Sequence, residues 1–452
     1  MQKLILSFSF LFILISCTSQ NINYTPTGNI VIHSVNVIPM DEERVIPNQT
    51  VVIRNGRIAS ILPTTTTQFE YTLVIDGKGK YLMPGLTEMH AHVPPSGNMD
   101  ESKEVLLLFV ANGVTNIRGM LGHPNHLELR TMIKHDEKVI GPRLITSGPS
   151  FNGNSVKSAE QGAEMVRQQK AAGYDFLKIH PGISKENFAA IAQTAKEVNI
   201  SLAGHVPFDV GVWRAIDARY ATIDHMDGFV ESLVPGIENV TEQENGFFGV
   251  GVAARADTNK IAPLIKALKE NNIWVVPTQA LAERWMSPVE ASVFDNAPEM
   301  IYMSPNTRTQ WQKAKNNLLN SPGYDKDATN HFLALRRKLI YELHKNNVGL
   351  LLGADAPQVY NVPGFASHHE LKYMVDAGLS PFEALQTATI NVGKFYRSPI
   401  GMVKEGYFPD LVLLNKNPLE NIQHTTTIEG VILNGKWLSK QWINETLKSL
   451  EK

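Results

Sequence analysis

The chain has 452 residues, a formal net charge of −2, 14 histidines and a single cysteine. So even a balance, with no basic block, removes the electrostatic basis for nucleic-acid binding. One cysteine forms no internal disulfide, so the fold must be held by its core.

The first residues, "MQKLILSFSFLFILISC", place one Lys before an apolar run from Leu4 to Ile15, then Ser16 and Cys17. This is the layout of an export signal, and the run is too short to span a bilayer comfortably. Leu14-Ile15-Ser16-Cys17 also resembles a bacterial lipobox, in which the cysteine becomes the lipidated first residue. The plainer alternative is a small residue before a cleavage site. More than one acyl chain gives stable anchoring. The expectation is an exported lipoprotein facing the periplasm, touching the membrane only through Cys17, with polar residues 18–28 as a tether.

From residue 29 to 80 the pattern is strand-like: "NIVIHSVNVIPM", "TVVIRNGRIASIL" and "TLVIDGKGKYLMPG", with Asn55-Gly56 as a two-residue turn. Residues 397–440 repeat the style in "DLVLLNKN" and "EGVILNGKWL", with Asn434-Gly435 as the turn. Short hairpins are marginal alone, so the two ends are expected to pack as one small β-sandwich domain, with a tail helix over 441–452.

The middle, residues 81–396, alternates short apolar strands with helical stretches such as "SAEQGAEMVRQQKAAG" and "SKENFAAIAQTAKEVN". Counting "YLMPGLTEMHAH" first, the strands "GVTNIRGM", "PRLITSG", "YDFLKIH", "ISLAGHVP", "ATIDHMD", "IWVVPTQ" and "VGLLLGADAP" make eight units. The pattern predicts an α/β fold, a (β/α)8 TIM barrel whose active-site groups lie at the strand C-termini.

His90 and His92 close the first strand, and the period of two points both to one side, making half of a metal site. Lys178, His205, His225 and Asp355 lie at the ends of later strands, where one mouth would gather them.

These residues, with "VVIRNGRI", "GPRLITSG", "HHELKYMVDAGLSPFEALQTATINVGKFY" and "GMVKEGYFPDLVLLNKNPL", resemble the amidohydrolase superfamily, close to its imidazolonepropionase-related and prolidase-like branch. The resemblance covers nearly the whole chain after the leader. It implies two divalent metal ions: His90, His92 and Asp355 on the first, His205 and His225 on the second. Lys178 matches the lysine that CO2 carboxylates to bridge both. Zn2+ suits such ligands, and so do Mn2+, Fe2+ and Co2+. The implied chemistry is hydrolysis of a C–N amide bond in a dipeptide, N-acyl amino acid or cyclic amide. A metal-bound hydroxide attacks, with Asp355 as proton acceptor.

Three residues are candidate substrate contacts, each with a plainer alternative: His180, two positions after Lys178, or else a packing residue that supports a ligand; Arg118, ending the second strand, or else a salt bridge within the barrel; and His123, in the loop "GMLGHPNH" with His126, or else a solvated loop histidine. His368 and His369 open the helix after the last strand, where a structural capping role is expected. Glu88 stands where the family usually has Asp, Gly119 where an Asp often follows the Arg, and Pro409 where Ala is common. The long connection over 280–348 is read as a lid or pocket wall, or else an extended helical crossover, with Trp285, Met286, Tyr302 and Trp311 as apolar lining or core. Two other functions fit less well. One is a mononuclear hydrolase or deaminase of the imidazolonepropionase type, which needs no bridging lysine. The other is a binding lipoprotein without catalysis, which has no use for a proton acceptor at Asp355.

Overall fold

The computed structural model describes residues 29–65, 73–94 and 99–452. Cys17, the leader and the tether 18–28 lie outside the described residues.

Both chain ends contribute to one sheet. Strands β1 (Ile30–Val37), β2 (Ile46–Arg54), β3 (Arg57–Pro63), β4 (Leu73–Asp76) and β5 (Tyr81–Pro84) come from the N-terminal side. Three strands of the C-terminal stretch join them by their pairing with β5 and with one another, as numbered below. Asn55 and Gly56 both take positive φ, 51° and 67°, as a tight hairpin needs. The turn fixes the register Arg54 to Arg57. Pairing unites these strands in a single eight-stranded sheet that branches at β1, which pairs with β2, β4 and β5. Two separate packed sheets, the expected sandwich, do not emerge from the pairing. Val35, Val51, Ile53, Leu82, Leu411 and Ile432 form the core on this sheet.

Gly85 carries the chain into the central part, and it must be glycine: a Cβ there would stand 2.3 Å from the Thr115 side chain. Two parallel sheets follow. One contains β6 (Leu86–Ala91), β7 (Val114–Gly119) and β8 (Arg143–Thr146). The other contains β9 (Phe176–Ile179), β10 (Ser201–Gly204), β11 (Thr222–Asp224) and β12 (Trp274–Val276). The C-terminal strands noted above are β13 (Leu411–Leu414), β14 (Ile428–Leu433) and β15 (Lys436–Ser439). Isolated parallel bridges carry the pairing onward, Ser147 to Phe176, Val275 to Leu350, and Ala91 to Ala356. The eighth expected strand is extended chain rather than a regular strand. Asp355 turns it out of β geometry at φ 63°, after its neighbours have bonded Val275 and Met89.

The helices between strands end where the sequence stops them. Ser158 caps Ala159–Ala172 by accepting from Gln161 N, and Gly173 closes it at φ 88°. Ser184 caps Lys185–Glu197 in the same way. The connection over 280–348 is mostly helical, with long helices at Pro305–Leu319 and Lys326–Lys345. Met286 and Trp311 are buried. Trp311 packs with Phe294, Met300, Met303 and Tyr360. The tail helix runs over Lys440–Ser449. Among the described residues no helix is long and apolar enough to cross a membrane.

Candidate metal centre

The ends of β6, β9, β10 and β11 and the segment after Leu352 bring the expected residues together. His90, His225 and Asp355, all buried, offer ligand atoms within 4.8 Å of one another. His92 Nε2 is 2.6 Å from Asp355 Oδ1, and His90 Nε2 is 3.8 Å from the same oxygen. Lys178 Nζ lies 3.4 Å from His90 Nε2. His205 stacks on His225 with ring centroids 4.2 Å apart, and His180 stacks on His205 at 4.8 Å. His225 and Asp355 both sit at positive φ, 62° and 63°, a strained placement for non-glycine residues of the kind that collects at functional sites.

Burial sets the electrostatics. It pushes the His90, His205 and His225 imidazoles well below their usual range, with Lys178 adding to each shift, and takes His180 down to about 2. These rings are neutral at pH 7, as ligands must be. Burial brings Lys178 down to about 8, with Asp224, Asp355 and Asp227 opposing. The space for this lysine depends on Gly204, at φ 112°, where a Cβ would come within 2.6 Å of Lys178 Cδ.

Behind the cluster stand residues the sequence reading did not assign. Asp224 Oδ2 lies 2.8 Å from His90 Nδ1, Asp227 Oδ2 lies 2.7 Å from His205 Nδ1, and Thr278 Oγ1 lies 2.9 Å from His225 Nδ1. Asp227 and Thr278 hydrogen-bond their rings and leave the other nitrogen to the centre, while Asp224 lies against His90 as a close charge without hydrogen-bond geometry. His225 Nε2 is buried with no hydrogen-bond partner, an orphan that fits an ion. The donor set of neutral imidazoles, carboxylate oxygens and a desolvated lysine fits divalent metals of the zinc type. Only the two carboxylates in "IDHMD", flanking His225, hinted at this support. Glu88 clamps the first and last segments: it accepts from His90 N at 3.1 Å, Ala354 N at 2.7 Å and Ser367 Oγ at 2.8 Å. Arg336 reaches across to donate to His225 O at 2.6 Å and Pro277 O at 2.7 Å.

Two candidate substrate contacts lie away from the cavity lining. Arg118 is buried, and its guanidinium donates to Met89 O at 2.7 Å, Thr222 Oγ1 at 3.0 Å and Asp224 at 3.2 Å. It holds the carboxylate that lies against His90 and does not line the cavity. Replacing it by Met leaves Asp224 buried without its cation, so R118M is expected to lose about 3–5 kcal/mol of stability, read as a lower urea midpoint. His123 caps helix Pro124–His135, accepting from Asn125 N, and also lies outside the cavity lining. His180 does line it. His368 and His369 lie in the first turns of helix Phe365–Asp376 but act as ties rather than caps: His368 to Thr425 and Asn112, His369 to Glu299.

The centre opens into a cavity of about 670 Å3 lined by His90, His92, His205 and Asp355. From the long connection, Leu281 and Trp285 reach it. Among the described residues that line it, none is a lysine or an arginine.

A family profile described as "Amidohydrolase family" matches residues 81–438. Over 183 residues, 37% of this chain and 31% of the relative, the sequence is 28% identical to an adenine deaminase of Clostridium perfringens. The matches span less than half the length of the curated relatives. Among solved structures, a bottromycin amidohydrolase superposes with a TM-score of 0.70 at 20% identity, covering 93% of this chain and 90% of that one. A Xaa-Pro dipeptidase with methionine bound in its active site superposes at 0.65 and 18% identity, covering 91% and 100%. At these identities the likeness is one of fold.

Proposed function

Because the chain belongs to the amidohydrolase family, we propose that it is a metal-dependent hydrolase that cuts C–N amide bonds in dipeptides, N-acyl amino acids or cyclic amides. The carrying observation is the convergence of His90, His225 and Asp355 within 4.8 Å, with Lys178 3.4 Å from His90. We read the bridge order as a closed eight-unit barrel with the centre in its mouth, spanning 81–396, and the terminal sheet as the small domain of residues 29–80 and 397–440. His90, His92 and Asp355 would hold one ion and His205 and His225 a second, with a carboxylated Lys178 between them.

Divalent ions so held polarise a scissile carbonyl and make water a competent nucleophile near neutral pH. The chain's own residues do the rest. Asp355, with His92 2.6 Å away, is placed to take a proton from the attacking water and return it to the leaving nitrogen. Asp227 and Thr278 hold the His205 and His225 imidazoles by their Nδ1 atoms, and Asp224 sets a negative charge 2.8 Å from His90 Nδ1. Phe248 covers His225, ring on ring at 5.4 Å, and shields that side from water.

One observation favours a mononuclear enzyme of the deaminase type: His90, His225 and Asp355 meet as a three-residue cluster that does not take in His92 or His205. The metal count separates the two, two ions per chain for the leading reading and one for the alternative. The test of function is a panel of dipeptides, N-acyl amino acids and cyclic amides incubated with the Zn2+-loaded chain, products read by mass spectrometry. Cleavage restricted to non-amide bonds would refute the assignment.

Export and anchoring belong to the same proposal. Cys17→Ala is expected to abolish incorporation of radiolabelled fatty acid and to release the chain from membranes; label that persists contradicts the lipobox reading.

A further inference from the structure

One stretch of the cavity wall carries polar groups that the reaction does not use. Glu231 lies on the short helix Phe229–Leu233, and Asn245 ends the helix Glu242–Asn245. Asn245 Nδ2 donates to Glu231 Oε1 at 2.9 Å and to Gly246 O at 3.2 Å, which fixes the amide so that Oδ1 stays an acceptor. Asn245 is 4% exposed, and both its Oδ1 and Glu231 Oε2 are buried with no hydrogen-bond partner. Two orphan acceptors side by side in a cavity wall are costly, and a donor in the cavity relieves the cost. Burial, with Asp227 adding to it, brings the Glu231 carboxyl up to about 7 against the opposing Asn245 hydrogen bond and Arg336, and a cation seated beside it would favour its charged form further.

The surroundings select a cation over a neutral donor. Phe247 and Trp285, with ring centroids 5.4 Å apart, line the same cavity as these acceptors and offer aromatic surface. Phe248, at φ 55°, carries the aromatic surface on to His225 and so joins this wall to the centre. Glu242 also lines the cavity, and among the described lining residues there is no lysine or arginine beside these acceptors.

Resting on the hydrolase reading above, we propose that Glu231 and Asn245, with Phe247 and Trp285, form a subsite for a protonated amine or guanidinium of the substrate, beside the scissile bond rather than part of it. The preferred substrates are then amides that carry a basic group. Charge-assisted hydrogen bonds to the carboxylate supply the selectivity, and the aromatic faces hold the stem.

The test is calorimetric titration of the Zn2+-loaded full chain with 2-phenylethylammonium and with its neutral counterpart 2-phenylethanol. The ammonium is expected to bind at least about tenfold more tightly, and Glu231→Gln to erase the difference. Should that variant not fold, Asn245→Ala, which deletes the other acceptor, is expected to cut the preference severalfold. Equal affinities in the unaltered chain, or a preference untouched by Glu231→Gln, overturn the subsite. A preference that Glu231→Gln erases, in a chain that hydrolyses no amide, upholds the subsite and removes the hydrolase reading. Hydrolysis of neutral amides with no ammonium preference does the reverse.

Discussion

Asp355→Asn is expected to lower kcat/KM by roughly 10^3-fold or more while leaving the chain folded. Asparagine has the same shape and tolerates the left-handed backbone that Asp355 adopts at φ 63°. The Asp355 N–H to His90 O bond, at 3.0 Å, is untouched by the change. What disappears is the carboxylate 2.6 Å from His92 Nε2, the carboxylate of the His90–His225–Asp355 cluster and so the group that can accept a proton there. Steady-state kinetics beside a thermal melt check this. An unchanged melt with lost turnover supports the role, whereas turnover within tenfold of the unaltered chain removes Asp355 from the chemistry.

The second large effect concerns Lys178. Lys178→Met keeps the length and the apolar stem, so the buried space beside Gly204 stays filled. The variant is expected to hold fewer metal ions, one per chain instead of two, and to lose hydrolysis by roughly 10^3-fold, because the bridging oxygens cannot form. An ammonium cannot ligate a metal. A desolvated lysine brought down to about 8 has a neutral amine fraction that adds CO2 near neutral pH. The unaltered chain, stripped of metal and reloaded, should therefore regain activity faster in bicarbonate than in CO2-free buffer, and Lys178→Met should show no such difference. Full metal content and activity in the variant would contradict the bridge.

These residues were visible in the sequence for a physical reason. A strand end is short, local and periodic, so "HAH" places two functional groups and "LKI", "AGH", "IDH" and "GAD" at least one each without reference to the rest of the chain. The two Asn-Gly turns were legible for the same reason, since a positive φ at both positions demands those residues. The groups that orient the ligands were not legible. Arg336 bonds His225 O from 111 positions away and Arg118 reaches Asp224 across 106, distances at which periodicity says nothing. Arg118 therefore reads in the sequence as either a substrate contact or a salt bridge within the barrel, and only the fold names Asp224 as its partner. His123 looked like a loop histidine and proves to be a helix cap. The wall with Glu231 and Asn245 is built from helices of five and four residues, too short for an amphipathic pattern. The eighth strand was read correctly in place but not in form, because only the backbone shows Asp355 turning out of the pairing.

The measurement that bears most directly on the central claim is amide cleavage by the chain loaded with Zn2+ in bicarbonate, repeated after the metal is removed with a chelator. The expected result is release of a free amine and a free carboxylate, lost with the metal and regained when it is restored. Amides that stay intact while two ions are bound per chain, or cleavage that persists without metal, would contradict the account.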